Sequence, residues 1–362
     1  MKKYFLYELR KSAPAIAFLT LAMTVWYLSQ ILFFAETSLN MFFANVVTVI
    51  TFAGFVAALA PVKTFSYRTK KRSVDLFYAL PLSHKKILAV KFLVGLVVIY
   101  LPYTVAFFIG SAATAATAHE ANAAYCIPLY FASLIPIYII YSISSFAFTR
   151  ANKRNDGVLF IIFWFTAVPL VLQVLDRICG ACGEPTTYFG SYIIDSGSYA
   201  PTSPLTIVTE YFGKLIFPST GELYPVFEAQ NEAVRLANLI AGLTVNSLLS
   251  IGATVGLFLL EKKTRAENAE QISESLFGYK TMIPLITACA LALCISRYTA
   301  LNVVVVVIIV LVASAICMTY RRTVKIGWKQ LIILGISIAV GIITGGLLFL
   351  KKLKNRARAN KL

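Results

Sequence analysis

Long apolar runs without charged residues constrain this chain more than any other feature. Of its 362 residues, 59% are hydrophobic and 14% are charged, and the mean hydropathy is +0.77. Soluble domains carry about 25% charged residues. Several runs reach the roughly 20 residues that an α-helix needs to cross about 30 Å of hydrocarbon, and lipid offers no partners for unpaired backbone groups. We therefore predict an all-α, polytopic membrane helix bundle.

The first part of the chain is predicted to contain six membrane spans. They cover about residues 14–34, 41–62, 88–115, 126–148, 157–175 and 235–260. Residues 1–13 precede them as an amphipathic segment, which we expect to form an elbow helix in the membrane interface before the chain turns into the bilayer. No small-residue cleavage site follows a short apolar core, so the first span is expected to act as its own insertion signal.

The distribution of basic residues predicts the orientation of these spans. The net charge is +17, and the basic residues cluster at the N-terminus and in the connections 63–86, 149–156 and 261–280. The connections 35–40, 116–125 and 176–232 hold few. The positive-inside rule places the basic side in the cytoplasm. We therefore predict a multi-pass protein of the cell membrane with a cytoplasmic N-terminus. The positive net charge is explained by the orientation of the spans, and we predict no nucleic-acid binding.

The C-terminal part leaves the number of spans open. Residues 266–350 contain apolar runs at about 282–296, 300–319 and 331–350, and a basic tail follows at 351–362. If all three runs cross, the tail lies outside, against the positive-inside rule. If the run at 282–296 does not cross, the basic residues around 321–329 lie outside instead. Both eight and nine spans remain open at this stage.

Catalytic motifs are missing from the sequence. His84 and His119 lack the HExxH spacing of a zinc site, and the fragment at 278–281 lacks the glycine and lysine of a phosphate-binding loop. We also see no Asp or Glu clearly within a predicted span, where it would indicate a proton relay. The chain is therefore predicted not to be an enzyme and to bind no cofactor or metal.

A CGAC pair lies in the long connection predicted to be external. It is formed by Cys179 and Cys182, and it is compatible with a local disulfide, with free thiols, or with metal or redox chemistry. We expect the other cysteines to behave as small core residues; these are Cys126, Cys289, Cys294 and Cys317.

The connection at 63–87 carries the most informative pattern. Ser73 is placed to cap a short helix with an apolar side, Pro81 to end it, and Ser83 to cap the following span. One interpretation is a basic loop that rests on anionic lipid headgroups. The other is a docking helix that enters a groove on a soluble subunit.

The segment KKRSVDLFYALPLSHKKILAVKF resembles the loop between the second and third helices of type-2 ABC exporter permeases. The matching positions are Arg72, Asp75, Phe77, Tyr78, Leu80, Pro81, Lys85 and Lys86. The layout is also similar, with an elbow, closely spaced spans, a long external loop and a further span. The resemblance implies a six-helix exporter-permease core over 14–265, with a coupling loop at 63–87 and re-entrant helices in the external loop at 176–232. The extension at 266–350 departs from it and looks similar to Gram-positive members with extra helices.

This resemblance implies a function that the composition alone does not. The chain would be the transmembrane subunit of an ABC transporter, exporting an unidentified substrate. Cytoplasmic ATPase subunits would bind and hydrolyse ATP, and a second permease, identical or related, would complete the pathway in the lipid bilayer. The alternatives are a secondary transporter or channel, and a membrane-embedded enzyme or sensor that uses the external loop.

Overall fold

The structure is a computed structural model, and it describes most of the chain. The described residues are 2–33, 39–79, 81–117, 123–181, 232–263, 269–271, 273, 275, 277–296, 302–321 and 327–359. Throughout these ranges the regular structure is helical, and they contain no strand. The predicted all-α class is confirmed.

Long helices make up most of the described ranges. The α-helices are α1 (Lys2–Phe33), α2 (Leu39–Thr64), α3 (Lys71–Tyr78), α4 (His84–Thr117), α5 (Ala123–Thr149), α6 (Arg154–Ala181), α7 (Glu232–Leu259), α8 (Tyr279–Ile295), α9 (Asn302–Arg321) and α10 (Trp328–Ala359). Short 3-10 turns occupy Ser66–Thr69 and Leu260–Lys263. Each predicted apolar run overlaps one of these helices over most of its length.

Among the described residues, five helical stretches are long and apolar enough to cross a membrane. They are Lys2–Leu32, His84–Ala116, Leu129–Thr149, Arg154–Leu175 and Trp328–Lys351. Shorter apolar stretches lie at Thr48–Thr64, Leu243–Leu259, Tyr279–Ile295 and Val304–Met318. The multi-pass character predicted from the sequence is therefore supported by several helices of membrane-spanning length.

The elbow helix at residues 1–13 is not separate from the first span. α1 runs unbroken from Lys2 to Phe33, with Pro14 inside it. The reason is packing, because side chains from both ends of this stretch contact the same apolar cluster on α4. Tyr4 and Phe5 pack on that cluster together with Ile16 and Leu19. A turn at residue 13 would pull one of these pairs away from α4.

The chain divides into two compact units. The first holds Met1–Thr149 and Pro204–Glu270, and the second holds Arg150–Ser203 and Gln271–Leu362. The first unit thus contains α1–α5 and α7, while α6 belongs to the second, where it packs on α8 and α10. The division into a core at 14–265 and an extension stays a prediction.

Helix directions within the first unit follow from residue pairs at both ends of each contact. Near the start of α1 and α4, Glu8 bonds Lys91, and near their ends Tyr27 packs on Gly110, so these two helices are parallel. α5 and α7 are also parallel, because Ser142 bonds Ser250 at 2.7 Å and, further along both helices, Phe146 packs on Gly256.

In the same unit α4 and α5 are antiparallel. The Tyr141 hydroxyl donates to the Phe92 carbonyl at 3.0 Å, whereas Tyr103, later in α4, bonds Ser133, earlier in α5, at 2.5 Å. These hydroxyls therefore find partners inside the bundle, as buried polar groups in an apolar surrounding require.

The second unit contains three parallel helices. Tyr279 at the start of α8 donates to Asp156 in the first turn of α6 at 3.1 Å, and at the other end Arg177 of α6 donates to Ser296, which follows α8. α8 therefore runs along most of α6. It is 17 residues long, which corresponds to about 25 Å.

Glycines let α10 lie directly on α8. A Cβ at Gly341 would come within 2.8 Å of the Ala288 carbonyl oxygen, and one at Gly345 within 2.9 Å of the Ala292 carbonyl oxygen. Gly345 follows Gly341 in α10 just as Ala292 follows Ala288 in α8, so the two helices are parallel. The Gly341/Gly345 pair thus serves helix packing inside the chain, as small residues do between membrane helices.

Candidate docking site between α2 and α4

The connection between α2 and α4 folds as a 3-10 turn followed by the short helix α3. Lys70 adopts an extended conformation, with φ −122° and ψ 123°, and α3 starts at the next residue. The predicted cap at Ser73 is wrong, because Ser73 lies inside α3 and its N–H donates to the Lys70 carbonyl at 3.0 Å. The Ala79 N–H closes the last turn on the Asp75 carbonyl at 3.0 Å.

A sharp break then leads into α4. Pro81 lies in this break, where its ring and missing N–H prevent α3 from continuing. The Ser83 carbonyl accepts the N–H groups of Lys86 at 2.8 Å and Ile87 at 3.1 Å. Ser83 thus lies at the N-cap position of α4, as predicted.

The two faces of α3 differ sharply. Val74 is buried and Phe77 is half-buried, and these side chains form the inner face. The exposed residues recur at the spacing of one helical face. They are Arg72, Asp75, Leu76 and Ala79, which we call the outer face; Lys71, at the start of α3, is exposed as well. Leu76 is 68% exposed, so this face combines charges with an uncovered apolar side chain.

Lys91 of α4 connects the inner face to α1. Its ammonium nitrogen lies 2.7 Å from Glu8 Oε2. The same nitrogen lies 4.7 Å from the ring centroid of Phe77 and 5.4 Å from that of Tyr67, distances at which an aromatic face attracts a cation. The two rings lie 4.8 Å apart. We call these four residues the lysine cluster.

The two charges of the lysine cluster depend on each other. The side chains of Lys91 and Glu8 are 8% and 4% exposed, and removing either charge would leave the other buried without compensation. The cluster joins α1, the 3-10 turn, α3 and α4, so α3 cannot shift without disturbing α1 and α4.

A second buried ion pair attaches the same turn to α7. Arg68 Nη1 lies 2.7 Å from Glu261 Oε2, and these side chains are 7% and 3% exposed. Glu261 belongs to the 3-10 turn that ends α7. The candidate docking site is therefore attached to α1 and α4 through Lys91 and to the end of α7 through Arg68.

The structure separates the residues that the sequence grouped together. Arg72 and Asp75 lie on the outer face, whereas Phe77 points into the lysine cluster. Lys85 and Lys86 are exposed in the first turn of α4. Tyr78 ends α3, but its side chain lies outside the described part, as does Leu80.

Sequence reasoning missed the residues that hold the site. We saw no acid within a predicted span, yet Glu8 is buried inside the continuous helix α1, because α1 begins much earlier than the span did. Lys91 carried a signal, since it is a single lysine in an otherwise apolar run. Leu76 carried no such signal, because the sequence does not show which apolar residues of a short helix face outward.

The predicted cysteine pair lies at the edge of the described residues. Cys179 belongs to α6, but its side chain and all of Cys182 lie outside them, so the disulfide stays a prediction. The connection at 176–232, which is predicted to be external, is described only where it overlaps α6 and the first residue of α7. Within the described ranges no group of three His, Cys, Asp or Glu side chains is placed to hold a metal ion.

Comparisons of the sequence with protein-family models, and of the chain with curated proteins and with solved structures, found no match.

Proposed function

We propose that this chain is the transmembrane subunit of an ABC transporter, exporting its substrate with the help of separate cytoplasmic ATPase subunits. The observation that carries the proposal is α3, a short amphipathic helix between two apolar helices, held on one face by buried charges and exposed on the other. A second permease, identical or related, would complete the pathway.

The outer face of α3 has the properties of a protein-docking surface. A helix that enters a groove presents apolar and charged anchors at this spacing, and here Leu76 lies on the same face as Arg72 and Asp75. Anionic headgroups would attract the basic residues of the loop but would repel Asp75, which lies on the same face as Leu76. The outer face therefore favours a protein partner over a lipid surface.

The anchoring of α3 supplies the mechanical link. A partner that pushes on the outer face moves the lysine cluster, and through it α1 and α4, while Arg68 passes the movement to α7. ATP-driven closure of the ATPases would in this way favour one conformation of the spans over another. The permease itself makes and breaks no bond, and its work is the differential stabilisation of two states.

Co-purification tests the proposal. After gentle solubilisation from the native membrane, the wild-type chain should carry an ATPase subunit, and the Leu76→Asp variant should lose it. The control is Gln271→Glu, which adds the same charge at an exposed position of the second unit. Absence of an ATPase from the wild-type preparation would contradict the proposal, and so would equal retention by Leu76→Asp.

A further inference from the structure

An open apolar groove between α1 and α4 has a basic residue at one end. It is open to the surroundings along its length, has a volume of about 740 Å³ and is lined almost entirely by apolar groups. Small residues of α1 form its floor, Leu101 and Ile109 of α4 form one side, and Arg10 closes the end nearest the N-terminus. We propose that this groove binds one anionic phospholipid, with an acyl chain along the groove and the phosphate at Arg10.

The dimensions fit one lipid tail. The groove extends along α1 from Arg10 to Thr24, a rise of about 21 Å for an α-helix. From the headgroup level to its middle, a bilayer measures about 20–22 Å, which is half of the roughly 40–45 Å that includes the headgroup regions. A tail that starts at Arg10 therefore reaches the end of the groove near the middle of the bilayer.

The charge at the end of the groove identifies the headgroup. Arg10 is exposed and makes no ion pair or hydrogen bond to another described residue. Its guanidinium presents several donors in the geometry that matches a phosphate. An apolar groove that ends in one free guanidinium matches an amphiphile with an anionic head and an apolar tail.

A second copy of the chain fits the groove less well. In a symmetric dimer that paired the same groove in two parallel chains, Arg10 would face Arg10 of the other copy, because a two-fold interface brings the same surface together twice. Two guanidinium groups would then meet at the mouth of an apolar contact. An anionic lipid neutralises this charge, whereas a second copy doubles it.

Native mass spectrometry of the full chain tests whether it binds an anionic lipid. The probes are phosphatidylglycerol and phosphatidylcholine with the same acyl chains, added to delipidated protein in detergent. The wild type should retain one phosphatidylglycerol about fivefold more strongly than phosphatidylcholine, the factor expected for one basic residue near an anionic headgroup. Arg10→Gln should remove the preference, while Lys11→Gln, which removes a neighbouring charge that does not line the groove, should keep it.

A substitution that fills the groove tests the bound lipid independently. Ala17 is exposed and lines the groove, so Ala17→Phe should block the tail and lower the retention of both lipids alike without disturbing the core. An unchanged preference in Arg10→Gln would overturn the proposal, and so would unchanged retention in Ala17→Phe. Detection of a dimer that Ala17→Phe dissociates would assign the groove to a second copy instead.

Discussion

Lys91 Nζ lies 2.7 Å from Glu8 Oε2, and both side chains are almost completely buried. This pair joins the first helix of the chain to the helix that follows α3, although 82 residues separate the two in sequence. The aromatic rings of Tyr67 and Phe77 flank the same ammonium group. The position of α3 thus depends on the charge of Lys91 on α4. Substitutions of Lys91 and Glu8 can therefore test how α3 is held.

Removing one member of this pair should destabilise the protein strongly. Lys91→Met leaves the Glu8 carboxylate buried and unpaired, which costs about 3–5 kcal/mol in comparable buried pairs. The double variant Glu8→Gln/Lys91→Met removes both charges and should recover most of the loss. Denaturant unfolding in detergent measures the difference. A double variant no more stable than Lys91→Met would show that the pair does not hold α1 on α4.

The Arg68–Glu261 pair should transmit movement to α7. Arg68→Glu places two carboxylates together, so it should lower stability, and the swap Arg68→Glu/Glu261→Arg should restore it. In the proposed complex, a spin label at the exposed Leu248 of α7 should change mobility when ATP is added. Arg68→Ala should reduce this change while the ATPase subunit stays bound. An unaltered ATP response in Arg68→Ala would contradict a role of this pair in transmission.

Adjacent glycines of α10 should respond very differently to the same substitution. A side chain at Gly345 meets the backbone of α8, whereas a side chain at Gly346 meets nothing within 4 Å. Gly345→Leu should therefore cost about 1–3 kcal/mol, as overpacking typically does, and Gly346→Leu should cost little. Thermal unfolding in detergent compares the two. Equal effects would show that α8 and α10 do not pack through these glycines.

The direction of α8 predicts the side of the C-terminal tail. Its two ends bond Asp156 and Arg177 near the two ends of α6, so α8 spans the same thickness as α6. If α6 crosses the membrane, α8 crosses it too, which favours nine spans over eight. Reporter enzymes fused before Met1 and after Leu362 should then report opposite sides of the membrane. Reporters on the same side would exclude nine spans.

The sequence predicted the helices far better than their contacts. Apolar runs and their flanking charges depend on local composition, so the positions of the spans follow from the chain alone. Helix partners depend on side chains distant in sequence, and nothing in the apolar run of α6 indicates that it packs on α8 and α10.

In the candidate docking site too, local features could be predicted from the sequence, but contacts between distant residues could not. Pro81 and the basic residues around α3 could be recognised in the sequence, because they end a helix and mark a loop. The inward position of Phe77 could not, because it depends on Lys91 and Tyr67. The two buried acids, Glu8 and Glu261, look like ordinary surface residues until their partners are known.

The central claim is that the outer face of α3 touches an ATPase. A photo-crosslinking amino acid placed at Leu76, on the exposed face, tests this contact directly, and the same amino acid at Val74, which is 2% exposed, serves as the control. In cells, we expect position 76 to form a crosslink to a soluble ATPase subunit and position 74 to form none. Crosslinks from position 76 to lipid alone, or to no ATPase, would contradict the proposed function.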